Sequence, residues 1–82
     1  PDEMPHSVLA MMISVEQSDT VRFGECVDIL RANPGSDMVY FHFTDEGKKA
    51  KFKQGVDLSD GVCSQIYDIV GRSNTVMKEV AV

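Results

Sequence analysis

Four lysines stand within six positions, at Lys48, Lys49, Lys51 and Lys53, and they make up half of the eight basic residues in the chain. Side chains alternate along an extended segment, so Lys49, Lys51 and Lys53 are expected on one face of one strand. Such a stripe has three uses: it can meet phosphates, meet an acidic protein surface, or keep a sheet edge soluble and unpaired. Edge protection is the first expectation, an acidic partner the second and nucleic acid the third. An RNA-binding sheet would need exposed aromatics interleaved with glycine, which this segment lacks. Lys49, Lys51 and Lys53 are therefore the candidate partner-binding residues.

The remaining reactive side chains offer less. His6 and His42 are the only histidines, and a general base needs an oriented partner and a pocket that neither sequence context supplies. His42 is expected on a sheet surface. Asp57, Asp60 and Asp68 lack the alternating oxygens and closing Glu of a calcium loop, and the start of a helix accounts for the first two. Cys26 and Cys63 lie far apart, without metal-ligand spacing, on apolar stripes where a free thiol serves as a small hydrophobe. No glycine-rich phosphate loop and no nucleophile elbow occurs in the chain. The expectation is a segment with no catalytic residue, no metal and no cofactor.

The elements that would position these residues follow from periodicity. Residues 7–15, SVLAMMISV, are apolar on both alternating sets, which fits a central strand. Ser18 or Asp19 then caps a helix whose stripe is Phe23, Cys26, Val27 and Leu30, at i, i+3, i+4 and i+7. Asn33-Pro34-Gly35 closes it. Val39, Phe41 and Phe43 alternate with Tyr40, His42 and Thr44 in a second strand, and Asp45-Glu46-Gly47 turns into the lysine strand to make a hairpin. Ser59 caps a second helix with the stripe Val62, Cys63, Ile66, Ile69 and Val70, ended by Gly71 in a left-handed conformation. Val76, Val80 and Val82 alternate around Lys78 in a last strand.

This order predicts an α+β fold, a two-layer α/β plait of ferredoxin-like βαββαβ type, with a four-stranded antiparallel sheet and both helices on one face. Residues 1–6 are expected to be linker and residues 7–82 the single domain. At 82 residues with 43% apolar and 26% charged content, one ordered core fits and a second does not. No apolar run approaches the roughly 20 residues that cross a bilayer. The net charge of −5 disfavours general attraction to phosphate backbones or anionic lipid. Reduced core thiols fit a cytoplasmic location.

The succession CVDILRANPGSDMVYFHF followed by GVDLSDGVCSQIYDIVGRSNTVMKEV resembles the C-terminal domain of the bacterial replicative DNA polymerase III alpha subunit. The positions that carry the likeness are Leu30, Pro34, Gly35, Val39, Phe41, Val56, Ser59, Ile66, Val70, Gly71 and Val76, and it spans about residues 8–80. The resemblance implies a non-catalytic attachment domain that couples the polymerase to the tau subunit of the clamp loader. The parent would be a DNA-directed DNA polymerase whose catalytic carboxylates lie far upstream. It further implies weak or no nucleic-acid binding by this domain alone. The rival expectation is a small-molecule regulatory domain of the ACT type, which shares the element order and would bind an amino acid at the loop between the first strand and first helix. Here that loop, EQSDT, lacks the glycine that lets a ligand approach backbone closely.

Overall fold

The computed structural model of the protein describes residues 7–81. The expected linker over residues 1–6 and His6 lie outside them, as does Val82. Along the described residues the elements are β1 (Ser7–Val15), α1 (Thr20–Ala32), β2 (Pro34–Phe43), β3 (Lys48–Lys51), α2 (Asp60–Val70), a short 3-10 turn (Arg72–Asn74) and β4 (Thr75–Ala81). The α+β class, the element order and the two-layer arrangement agree with the sequence. Local chemistry sets the ends. The Asp19 carboxylate accepts from the Arg22 amide at the start of α1, the Ser59 hydroxyl accepts from Val62 at the start of α2, and Gly71 closes α2 at φ 87°.

The expected antiparallel sheet needs a correction. The strand order is β3-β2-β1-β4, and β1 pairs with β2 in parallel register, Met11 opposite Val39 and Ile13 opposite Phe41. The other two pairings, β1 with β4 and β2 with β3, are antiparallel. A ferredoxin-like order would seat the third strand in the middle of the sheet. β3 is four residues long and exposed throughout, and among its three lysines it offers only the small Ala50 with which to fill a central place. β2 therefore takes the position beside β1, and the hairpin swings β3 to the edge.

One core lies between the sheet and the helices. Met11, Ile13 and Val15 of β1 and Val39 and Phe41 of β2 meet Cys26 and Leu30 of α1 and Val62, Cys63, Ile66 and Val70 of α2. The Phe41 ring packs edge-on against Phe23 of α1, with centroids 4.9 Å apart, and stacks on Phe43 at 6.1 Å. Burying each such side chain contributes about 1.5–3 kcal/mol.

The Asn-Pro-Gly that ends α1 does more than stop a helix. Beyond β3 the chain folds back along the first half of β2: the Asp57 amide donates to the Asn33 carbonyl (2.8 Å) and the Gly35 amide to the Gly55 carbonyl (3.1 Å). The backbones come so close that a Cβ on Gly55 would collide with the Gly35 carbonyl oxygen. Both glycines are needed for that contact. Asp37 ties the same region together, its carboxylate accepting from Leu9 (2.8 Å) and Leu58 (3.0 Å). These bonds bring Val56 and Leu58 into the core and aim α2 across the sheet.

Candidate functional site: the uncovered sheet face

Both helices pack on the face that carries Met11, Ile13, Val39 and Phe41, which leaves the opposite face of the sheet bare. Register fixes its contents. One row across the four strands reads Lys51, Tyr40, Met12, Val76; a second reads Lys49, His42, Ser14; a third reads Met38, Ala10, Lys78; and Val80 stands opposite Val8. No Asp or Glu occupies any of these strand positions, although the chain holds thirteen acids. Between the lysines the surface is largely apolar, with Ala10 buried among its neighbours, Met12, Met38 and Tyr40 half-buried on the two central strands, and on β4 Val80 half-buried and Val76 65% exposed. The lysines are exposed and mark the two margins: Lys49 and Lys51 on β3, Lys78 on β4. A shallow hollow of about 710 Å³ runs between them. The Tyr40 hydroxyl lies 3.9 Å from the Met38 sulfur.

The lysine stripe is only partly as expected. Lys49 and Lys51 share the open face, opposite His42 and Tyr40. Lys53 lies past the end of β3 and lines a different, smaller hollow beside α1, with Phe23, Phe43 and Phe52. Its place on the bare face is taken by Lys78, which sequence spacing placed in the last strand without linking it to the others. Met12, Met38, Val76 and Val80 were likewise not expected on a surface, whereas Tyr40 lies on the more polar face of its strand, as its alternation with Phe41 implied. The available signal was that the first strand is apolar on both alternating sets while the two expected helices lie together on one face of the sheet. His42 sits on the sheet surface, as its alternation with Phe41 and Phe43 implied.

The buried thiols belong to the other face. Burial, with a smaller contribution from Glu25, pushes Cys26 up to about 11. Cys63 is also raised, first by burial and then by Asp60 and Asp37. Thiols so protonated are poor nucleophiles at neutral pH. Both are free and buried, as the apolar stripes required.

Comparison with protein-family models, with curated proteins and with solved structures returned no match. The geometry of the site stands by itself.

At the far end of the sheet, the loop between β1 and α1 offers two backbone amides of the kind that could hold a ligand carboxylate. They are already occupied. Asp45, from the hairpin turn, accepts from Gln17 at 2.7 Å and from Ser18 at 3.1 Å. These bonds, the one from Gln17 foremost, hold the Asp45 carboxyl below its ordinary value. The adjoining hollow, lined by Ser14, Glu16, Asp19, Arg22, Thr44 and Asn74, is only about 200 Å³. No described helix is long and apolar enough to cross a membrane.

Proposed function

We propose that this domain is a non-catalytic attachment module, and that it serves at the end of a bacterial replicative DNA polymerase III alpha subunit to couple the polymerase to the tau subunit of the clamp loader. The observation that carries attachment is the bare sheet face, an apolar centre with lysines on both margins and no acid, in a chain whose net charge is −5. A patch of that composition favours a protein partner with apolar anchors and acidic flanks. The choice of tau rests on the sequence resemblance. Nucleotidyl transfer would belong to parts of the parent polymerase outside this segment, and the location would be cytoplasmic.

The runner-up is an ACT-like regulatory domain binding an amino acid. What weighs against it is Asp45, which already fills the loop amides that a ligand carboxylate would use. A ligand would have to displace an internal carboxylate held by the fold itself.

Calorimetric titration of the 82-residue chain with tau checks the proposal. Saturable binding is expected, together with weak binding of a single-stranded oligonucleotide. Three lysines neutralising about three phosphates give a logarithmic salt slope near −2, so the oligonucleotide should dissociate by physiological salt. Absence of any heat with tau, combined with amino-acid-dependent dimerisation, would replace the attachment module by the regulatory one.

A further inference from the structure

Resting on the attachment proposal, the geometry points to the kind of segment that docks: we infer that the bare sheet face takes an acidic amphipathic α-helix, lying along the strands over Met12 and Tyr40 with carboxylates on both of its flanks.

Three observations lead there. The first is the hydrogen bonding of the face. β1 and β2, which form its middle, are paired on both sides, so their backbone groups are already used. An extended peptide laid over them would find no backbone partners and would bury its own amides and carbonyls at a loss. A helix satisfies its backbone internally and brings only side chains to the contact.

The second observation is width. Neighbouring strands lie about 4.8 Å apart, so the β3 margin and the β4 margin, three strand spacings from one another, are separated by roughly 14 Å measured across the strands. A helix with its side chains is about 10–12 Å across. Laid between the two margins, it places its apolar stripe on Met12, Tyr40 and Val76, and residues on either flank reach Lys49 and Lys51 on one side and Lys78 on the other.

The third is charge. The apolar middle alone would accept any amphipathic helix, but a basic one would set its cations against lysines on both margins, and no acid of the face could compensate. Like-charge juxtaposition rejects it, and an acidic one is selected. The tau subunit would present such a helix, and an equivalent segment from another protein would be recognised by the same chemistry.

The test uses the whole chain and two exposed-residue variants, Val76→Glu at the β4 side of the apolar strip and a charge reversal, Lys51→Glu with Lys78→Glu, each first shown by circular dichroism to fold as the wild type does. Val21→Ser, on the exposed side of α1, is the control. A displayed library of random segments about 20 residues long, enough for some 30 Å of helix, is selected on the wild-type chain at physiological salt. Enrichment of segments with an i, i+3, i+4, i+7 apolar stripe and Asp or Glu on both sides is expected. The synthesised peptides should bind both variants at least about tenfold more weakly, and the control unchanged. Enrichment of basic or extended segments, binding that ignores Val76→Glu, or no enrichment at all would overturn the inference. Salt-resistant binding of a single-stranded oligonucleotide, abolished by the charge reversal, would overturn it in favour of nucleic acid.

Titration of the same panel with tau separates the two claims. Tau that binds the wild type and both variants equally leaves the attachment proposal standing and removes this surface from it. A chain that selects acidic helices yet ignores tau keeps the surface and loses the clamp-loader partner.

Discussion

The two faces of the sheet are made from the same strands and differ by one residue of register, yet they are under opposite demands. On the covered face Met11, Ile13 and Val39 are fully buried and Phe41 nearly so, because two helices bring Leu30 and Ile66 down onto them. On the bare face the adjacent Met12, Tyr40 and Val76 stay half-buried or exposed. The side chains on both are apolar in the middle, so hydrophobicity alone does not tell them apart. The difference lies in what surrounds the apolar middle: helices on one side, lysines on the other. Under the attachment proposal the apolar surface rimmed with one sign of charge is the one kept for a partner, whereas the one that meets helices is spent on folding.

The comparison is broken most directly by truncating neighbours on opposite faces. Phe41→Ala should cost about 3–5 kcal/mol and leave a domain this small largely unfolded at 37 °C. Val76→Ser, on the bare face, should stay within about 0.5 kcal/mol. Urea unfolding of both proteins decides it, and equal losses would mean that the bare face also carries the fold.

A smaller effect comes from the glycine contact that aims α2 onto the covered face. Gly55→Ala must push Gly35 away and should cost about 1–3 kcal/mol or more. Gly24→Ala, inside α1 where an added Cβ meets nothing within 4 Å, should stabilise by about 0.5–1 kcal/mol. Thermal melts of the two variants should therefore move in opposite directions.

Chemical protection sharpens the contrast without mutation. Cys26 and Cys63 should resist a thiol reagent at neutral pH in the native state, then react fully in denaturant. Rapid native labelling of either would show that the helix layer opens.

The smallest effect concerns the loop that joins β1 to α1. Asp45 has its folded pKa lowered below the ordinary 3.8, so it binds its proton less readily in the folded state. Its contribution is present above 3.8 and fades as the pH falls below that value toward the folded pKa. The stability difference between wild type and Asp45→Asn should therefore shrink on acidification from neutral pH. Because Asp45 is exposed to solvent, the difference at neutral pH should itself be small. A gap that widened on acidification would mean that the bonds to Gln17 and Ser18 do not favour the carboxylate.

Much of the fold is legible residue by residue. The stripes of Cys26 and Leu30 and of Val62, Cys63 and Ile66, the Ser59 cap, the Gly71 end and the hairpin around Gly47 are local, and local chemistry specified them. Strand order is not local. The sequence nevertheless held a clue to it, because lysines that guard an edge cannot also sit in the central strand that a ferredoxin-like order requires. Reading Lys49 and Lys51 as edge residues already placed β3 on the outside. The bare face was legible only in part, since Lys51 and Lys78 lie in neighbouring rows on opposite edge strands, a relation that exists only once β1 has joined β2 to β4. Lys53 was misplaced for the opposite reason, because the strand ended two residues before it and simple alternation ran on.

The pairing of Ser7 with Ala81 has a consequence for how the chain reaches its native state. The first strand lies between the second and the last, so one of its ladders cannot close until nearly the whole described length has been gathered. Loop closure of that span must be met before the contact rewards it, which slows folding relative to a domain of local hairpins. It also couples the two ends. Loss of β4 would strip one side of β1 and leave the backbone beside Met11 and Ile13 unpaired, a template for another strand. Fraying at either terminus is thus felt in the centre of the sheet, and the domain should unfold as a single cooperative unit rather than from its ends inward.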